Sequence, residues 1–210
     1  MHHLGIPTTR AASLVVSDKT QVVRDKLYNG NAKMEKCAVV LRVAPTFLRF
    51  GSFEIFKPEC SVTGRSGPSS GLKNTMMPKM LDYLVENFYP EIKESFKDPV
   101  EQYKVMFEEV VQRTAVMAAH WQSVGFCHGV LNTDNMSMLG LTIDFGPYGW
   151  MEHFNKDYIC NHSDDKGRYR YEAQDEICKT NLIFLAQALD PVVPLKDTKA
   201  FVEANYSRMY

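Results

Sequence analysis

The chain has 210 residues, 45% of them hydrophobic and 23% charged, with a formal net charge of −1. That composition suits a globular protein with a sizeable core, and so balanced a charge gives no global attraction for nucleic acid or an anionic membrane. No apolar run approaches the ~20 residues of a membrane-spanning helix, and residues 1–7, with no basic leader and no apolar core, read as neither a signal nor a transit peptide.

Residues 11–17 (Ala-Ala-Ser-Leu-Val-Val-Ser) and 37–43 (Cys-Ala-Val-Val-Leu-Arg-Val) have the composition of two strands. Turn chemistry at Asn29-Gly30-Asn31 lies between them, so an antiparallel hairpin with a long loop is expected. Pro45 ends the second strand or places it at an edge. Residues 61–75, rich in Gly and Ser, have little to bury and form a surface excursion. Their glycines do not follow the G-x-x-x-x-G-K spacing of a phosphate-cradling loop.

Helical periodicity starts at Met77. Met77, Met80, Leu81, Leu84, Val85 and Phe88 share one face, and Pro90 limits the helix. Asp98-Pro99-Val100-Glu101 is a strong second start, with Asp98 as cap, Pro99 in the first helical position and Glu101 placed for a capping box. This helix should run to Val124 and stop at Gly125, a length of about 40 Å. Its core face is Tyr103, Phe107, Val110, Val111, Thr114, Met117, Ala118 and Trp121. Short elements follow over 126–150, then a polar and aromatic loop to about 175. A final helix begins near Glu176 and carries Leu182, Leu185, Ala186 and Leu189. The tail after Asp190-Pro191 is weakly patterned.

The five cysteines, Cys37, Cys60, Cys127, Cys160 and Cys178, include no C-x-x-C pair. Scattered and odd in number, they read as mostly buried structural thiols in a reducing compartment.

Chemistry concentrates in residues 128–146. After the long helix, a turn presents Asp134 and Asn135 side by side, and a short apolar pair of strands delivers Asp144 just before Phe145-Gly146. Asn135 and Asp144 are hard oxygen ligands that can hold one Mg²⁺, which takes its remaining ligands from water and nucleotide phosphates. The His128-to-Asn135 spacing equals that of H-R-D-L-x-x-x-N in the kinase catalytic loop, and Asp-Phe-Gly completes the layout. Val130 occupies the place of the usual catalytic Asp and cannot accept a proton; the acidic group reappears at Asp134. Taken singly, Asp-Phe-Gly and Asp-Asn are compatible with ordinary turn chemistry.

Arg42 and Arg49 flank Val43-Ala44-Pro45-Thr46-Phe47-Leu48, with Phe50-Gly51 following. Their forked guanidinium groups suit phosphate oxygens, and the same residues could equally be surface or salt-bridging arginines. Cys160-Asn161-His162-Ser163-Asp164-Asp165 holds candidate metal donors. Because they are sequence neighbours and not spaced at i, i+4, a structured polar loop is the simpler reading.

Residues 4–11 (Leu-Gly-Ile-Pro-Thr-Thr-Arg-Ala), 42–51, 88–92 (Phe-Tyr-Pro-Glu-Ile), 125–146 and 160–171 together resemble the selenoprotein O family, over nearly the whole chain to about Leu189. The resemblance implies an α+β, protein-kinase-like fold that binds ATP in a flipped orientation. It further implies transfer of AMP to Ser, Thr or Tyr hydroxyls of protein substrates. On the matching positions, Asp134 is the proton acceptor, Asn135 and Asp144 are Mg²⁺ ligands, and Arg42 and Arg49, with Asp144, contact the nucleotide. Residues 1–56 would then be part of the N-lobe and hinge, 57–76 a surface loop, and 77–210 the helical C-lobe.

Family members are longer. Their glycine-containing nucleotide segment, phosphate-binding lysine and its acidic partner are expected upstream of Met1, and their redox tail beyond the other end, so the resemblance implies a truncated form. Asp175 and Thr180 stand where the family has Pro and Trp. A catalytically inactive binding fragment and a phosphotransferase are the alternative activities. A mitochondrial location is expected for a full-length eukaryotic member. Cys160 falls in the segment after Asp-Phe-Gly, where oxidation would distort the site; a structural thiol is the simpler reading.

Overall fold

The computed structural model describes residues 1–25, 29–61 and 63–210. The fold is α+β: one long two-stranded ribbon, a second very short sheet and a larger helical body. Strands β1 (Arg10–Arg24) and β2 (Lys33–Val43) pair antiparallel from Arg10 opposite Val43 to Arg24 opposite Lys33. Both run longer than their apolar stretches because the polar residues 18–24 and 33–36 continue the ladder. The register shifts between Val16 and Gln21, where Ser17 Oγ accepts from the Thr20 N–H at 2.8 Å and folds the extra residues into a local turn. Gly30 has φ +84°, as the turn chemistry anticipates; residues 26–28 of the connection lie outside the described residues. The ribbon's apolar side chains face outward on both sides, Val23 at 69% and Val39 at 70% exposure.

After β2 the chain makes a four-residue helix, α1 (Gly51–Glu54), then the Gly- and Ser-rich segment. That segment is pinned to α1's end by the Gly67 N–H on Lys57 O (2.9 Å) and the Ser69 N–H on Ile55 O (2.9 Å). Helices α2 (Met76–Phe88) and α3 (Pro90–Ser95) are separated by Tyr89, whose φ of −137° is non-helical, as the following proline requires. Helix α4 (Pro99–Ser123) is the central scaffold. Asp98 caps it by accepting from the Glu101 N–H, and Gly125 just beyond it has φ +67°. All eight positions expected on its core face are buried, and Gln102, Met106 and Ala115 join them.

Strand β3 (Phe126–Cys127) pairs with β4 (Gly149–Trp150), bracketing the segment rich in candidate site residues. Helix α5 (Gln174–Leu189) begins two residues earlier than its apolar pattern indicates, and Leu182, Leu185, Ala186 and Leu189 are buried as expected. It is not the last helix: the supposedly weakly patterned tail forms α6 (Leu195–Met209), packed against α4 and α5. Its buried positions are Thr198, Val202 and Tyr206, a proper i, i+4, i+8 stripe that a purely apolar criterion misses because two of the three carry hydroxyls. The core lies among α2, α4, α5 and α6, with Phe50, Phe53 and Phe56 closing it from the α1 side.

Candidate active site

The segment around Arg49 and the one after Asn135 meet as a short antiparallel bridge. Phe50 N–H donates to Met136 O (3.0 Å), Met138 N–H to Leu48 O (3.1 Å), and Arg49 stands opposite Ser137. The bridge forms because Phe50, Met136 and Met138 are all fully buried and must satisfy their backbone groups inside the core. It places Arg49 beside the turn Thr133–Asn135, where Arg49 Nη1 donates to Asp134 O at 2.8 Å. Gly51 faces the same turn so closely that a β-carbon on it would lie 2.0 Å from Asp134 Oδ1. Asp134 itself is exposed, so its carboxylate is open to a reactant.

Asn135 is buried, and its Nδ2 donates to Val130 O at 2.8 Å. With the amide nitrogen committed, Oδ1 is the atom left to meet a cation. Val130 thereby contributes its carbonyl to hold the Asn135 side chain. The short pair of strands expected before Asp144 is reduced to one isolated bridge, Met136 to Thr142, which brings the segment carrying Asp144 alongside. Thr142 is anchored three ways: Trp121 Nε1 donates to its Oγ1 (2.9 Å), Oγ1 donates to Pro7 O (2.8 Å), and its N–H donates to the same carbonyl (2.8 Å). One residue on, Ile143 O pairs with His128 Nε2 at 2.8 Å. His128 is 1% exposed, and burial lowers its pKa, so it is held neutral and donates from Nε2 to the carbonyl. Asp144 then takes φ +58°, the single positive-φ residue other than glycine among those described, and is exposed.

Asn135 and Asp144 carry hard oxygen atoms of the kind Mg²⁺ prefers. Among the described residues no three His, Cys, Asp or Glu side chains gather to hold a metal, so a cation here would draw its other ligands from water and a bound anion.

Arg42 is held by Thr9 and Phe145. Its Nε donates to Thr9 Oγ1 at 2.7 Å, Nη2 donates to Thr9 O, and its Cζ lies 4.4 Å from the centre of the Phe145 ring. Partial burial lowers its pKa from a very high starting value, and it remains a cation. Neither Arg42 nor Arg49 makes an ion pair among the described residues. Beside Arg42 a cavity of about 360 Å³ is lined by His2, Arg10, Phe145, Tyr148 and Trp150 among others. Two contributors escaped the motif reading. Thr9 and Gly51 lie in segments that carry the family resemblance, but the motifs give neither residue a role of its own.

The Cys160–Asp165 stretch is a structured polar loop, as its spacing indicated. Asp164 accepts from the N–H groups of Arg168 (2.9 Å) and Tyr169 (2.7 Å), and Asn161 Nδ2 reaches Gly129 O (3.1 Å). Of the five cysteines only Cys127 and Cys178 are buried, and Cys60 is exposed, so the expectation of mostly buried thiols holds for these two alone. Cys160 Sγ donates to Cys127 O at 3.4 Å, and the Cys127 thiol beside it, with burial, pushes the Cys160 pKa up.

A family model described as protein adenylyltransferase SelO matches residues 1–210. The mouse protein named "Protein adenylyltransferase SelO, mitochondrial" is 54% identical over 209 residues, 98% of this chain and 31% of its own length. The human protein of the same name is 54% identical over 215 residues, all of this chain and 32% of its own. A Flavobacterium johnsoniae protein named "Protein nucleotidyltransferase YdiU" is 45% identical over 194 residues, 92% of this chain and 34% of its own. The chain thus spans about a third of the length of the curated relatives it matches. A match over every residue, joined to identity above half with two vertebrate members, makes this chain a member of the SelO family of protein adenylyltransferases.

Proposed function

We propose that this chain carries the catalytic-loop and metal-binding part of an ATP-dependent protein adenylyltransferase with a protein-kinase-like fold. In this reading residues 1–56 are the back of the N-lobe and hinge, 57–76 a surface loop and 77–210 the helical C-lobe. The observation that carries the reading is the exchange at Val130 and Asp134. The residue in the kinase base position offers only a carbonyl to Asn135, while an exposed carboxylate four residues on is flanked by an arginine.

Asp134 accepts the proton of a substrate Ser, Thr or Tyr hydroxyl. The oxygen attacks the α-phosphorus of ATP, a new P–O bond forms, the α–β bridge breaks and pyrophosphate leaves. Asn135 Oδ1 and Asp144 would hold Mg²⁺, which neutralises charge on the phosphate chain as it reorganises. Arg49, tethered through one nitrogen to Asp134 O, keeps its other donors for phosphate, and Arg42 supplies a second fork. The names of the vertebrate relatives support a mitochondrial setting.

A second reading is favoured by one observation: β1 and β2 leave their apolar residues exposed on both faces. A chain so built could act as a catalytically inactive binding fragment. Incubation with Mg²⁺ and ATP labelled at the α or γ phosphate separates the readings. Protein label from the α position alone, lost in Asp134→Ala and Asp144→Ala, is the expected result. Label from the γ position alone makes the chain a kinase, and no label from either leaves the binding fragment.

A further inference from the structure

We infer that Thr9 is a positioning residue for Arg42, fixing which edge of its guanidinium faces the phosphate chain; this rests on the reading of Arg42 as a phosphate ligand. Arg42 springs from a ribbon whose side chains are largely exposed, where a long flexible side chain has little to restrain it. Thr9 supplies the restraint. Its hydroxyl accepts from Nε and its carbonyl from Nη2, so one edge of the fork is occupied, while the Phe145 ring covers a face. Of five guanidinium N–H donors, Thr9 takes two, which leaves both donors of Nη1 and one of Nη2 directed away from Thr9.

Thr9 is itself immobile. It is 2% exposed and its N–H donates to Thr142 O at 3.0 Å. Thr142 is the residue locked by Trp121 and Pro7, and Asp144 follows it by two positions. The same short segment therefore sets the direction of Arg42 and borders the stretch that delivers Asp144. The cation and the metal-binding carboxylate are held in one frame although they come from distant parts of the chain. A guanidinium already oriented loses less freedom when it meets an anion, so Thr9 acts on nucleotide affinity through Arg42 and not by contact.

Thr9→Val keeps the shape and both backbone bonds and removes only the acceptor; Thr9→Ser restores it. Two measurements on the full chain test the inference. In ¹⁵N-arginine spectra, the Arg42 Nε–H, identified by its loss in Arg42→Lys, should exchange with solvent at least tenfold more slowly than that of exposed Arg208. That protection should vanish in Thr9→Val and persist in Thr9→Ser. Mg–ATP affinity should fall roughly tenfold in Thr9→Val, and Thr9→Val should add nothing once Arg42 is Ala. Unchanged exchange in Thr9→Val overturns the inference, as does an equal loss of affinity with and without Arg42. Full affinity in Thr9→Val beside weakened binding in Arg42→Ala overturns the role of Thr9 alone. Undiminished binding in Arg42→Ala, or none in the wild-type chain, overturns the phosphate reading of Arg42 first, and the role of Thr9 falls with it.

Discussion

Gly51 lies against the carboxylate of Asp134: a β-carbon there would sit 2.0 Å from Oδ1 and 3.0 Å from the carboxyl carbon. The atom in the way is the free end of an exposed side chain, not backbone. Gly51→Ala should therefore rotate Asp134 aside at little cost to the fold, and by restricting the unfolded chain it should leave stability within about 1 kcal/mol of wild type. The carboxylate is then in the wrong place to take a proton. AMP transfer should fall by ~100-fold, the scale of a lost general base, while ATP affinity changes little. Thermal melts and single-turnover label transfer on the same preparation check both halves. A fully active Gly51→Ala chain would remove Asp134 from the base role.

Thr142 should be as sensitive as any buried polar residue in the chain. Thr142→Val keeps the shape but leaves Trp121 Nε1 buried without an acceptor, and Trp121 is fully buried. The Pro7 carbonyl keeps its bond to the Thr142 N–H and loses only the hydroxyl. One orphaned donor and one weakened acceptor together cost about 2–3 kcal/mol. Urea unfolding curves measure it directly, and a loss below about 0.5 kcal/mol would mean that Trp121 finds another partner.

The contrast between these two residues explains what the sequence made legible. Periodicity located α2, α4 and α5 because their stripes are built from Leu, Val, Met and aromatic residues. It missed α6, whose stripe runs through Thr198 and Tyr206. It shortened both strands because an exposed ribbon needs no alternation of apolar and polar residues to hold its ladder. The motif reading singled out Asp134, Asn135 and Asp144 because the metal and base chemistry proposed for them restricts residue type. It passed over Thr9 and Gly51, since a hydroxyl that orients an arginine and a glycine that makes room for a carboxylate are defined by tertiary contact. Local spacing carries no trace of either.

Tyr89 sets an alkaline limit on stability. It is 1% exposed, its hydroxyl donates to Met138 O, and Arg113 lies 4.7 Å above its ring. Burial raises its pKa to about 12, with Arg113 partly opposing the shift. An unfolded tyrosine titrates near 10. The folded state thus keeps a proton that the unfolded state loses, and the stability from this group, complete below pH 10, declines as pH climbs toward 12. Tyr89→Phe should cost ~1 kcal/mol at pH 8 for the lost hydrogen bond. It should also make the fall in stability between pH 10 and 11.5 shallower by about one proton's worth. Urea melts across that range, compared between the two chains, would show parallel slopes if Tyr89 were not the group responsible.

Asp144 combines two demands that substitution can pull apart. Its φ of +58° is tolerable for Asp, easy for Gly and costly for Ala. Asp144→Ala should lose about 1 kcal/mol of stability in the absence of nucleotide, whereas Asp144→Gly should match or exceed wild type. Both lose a hard oxygen donor, so both should lose the Mg²⁺-dependent part of ATP binding to the same degree. Measured by thermal melts with and without Mg–ATP, the stability order Gly above Ala with equal loss of ligand stabilisation is the expected pattern. Equal stability of the two variants would show that the left-handed conformation is relaxed when the carboxylate is removed. An Asp144→Gly chain that retained Mg²⁺-dependent binding would take Asp144 out of the metal site while leaving its backbone role intact.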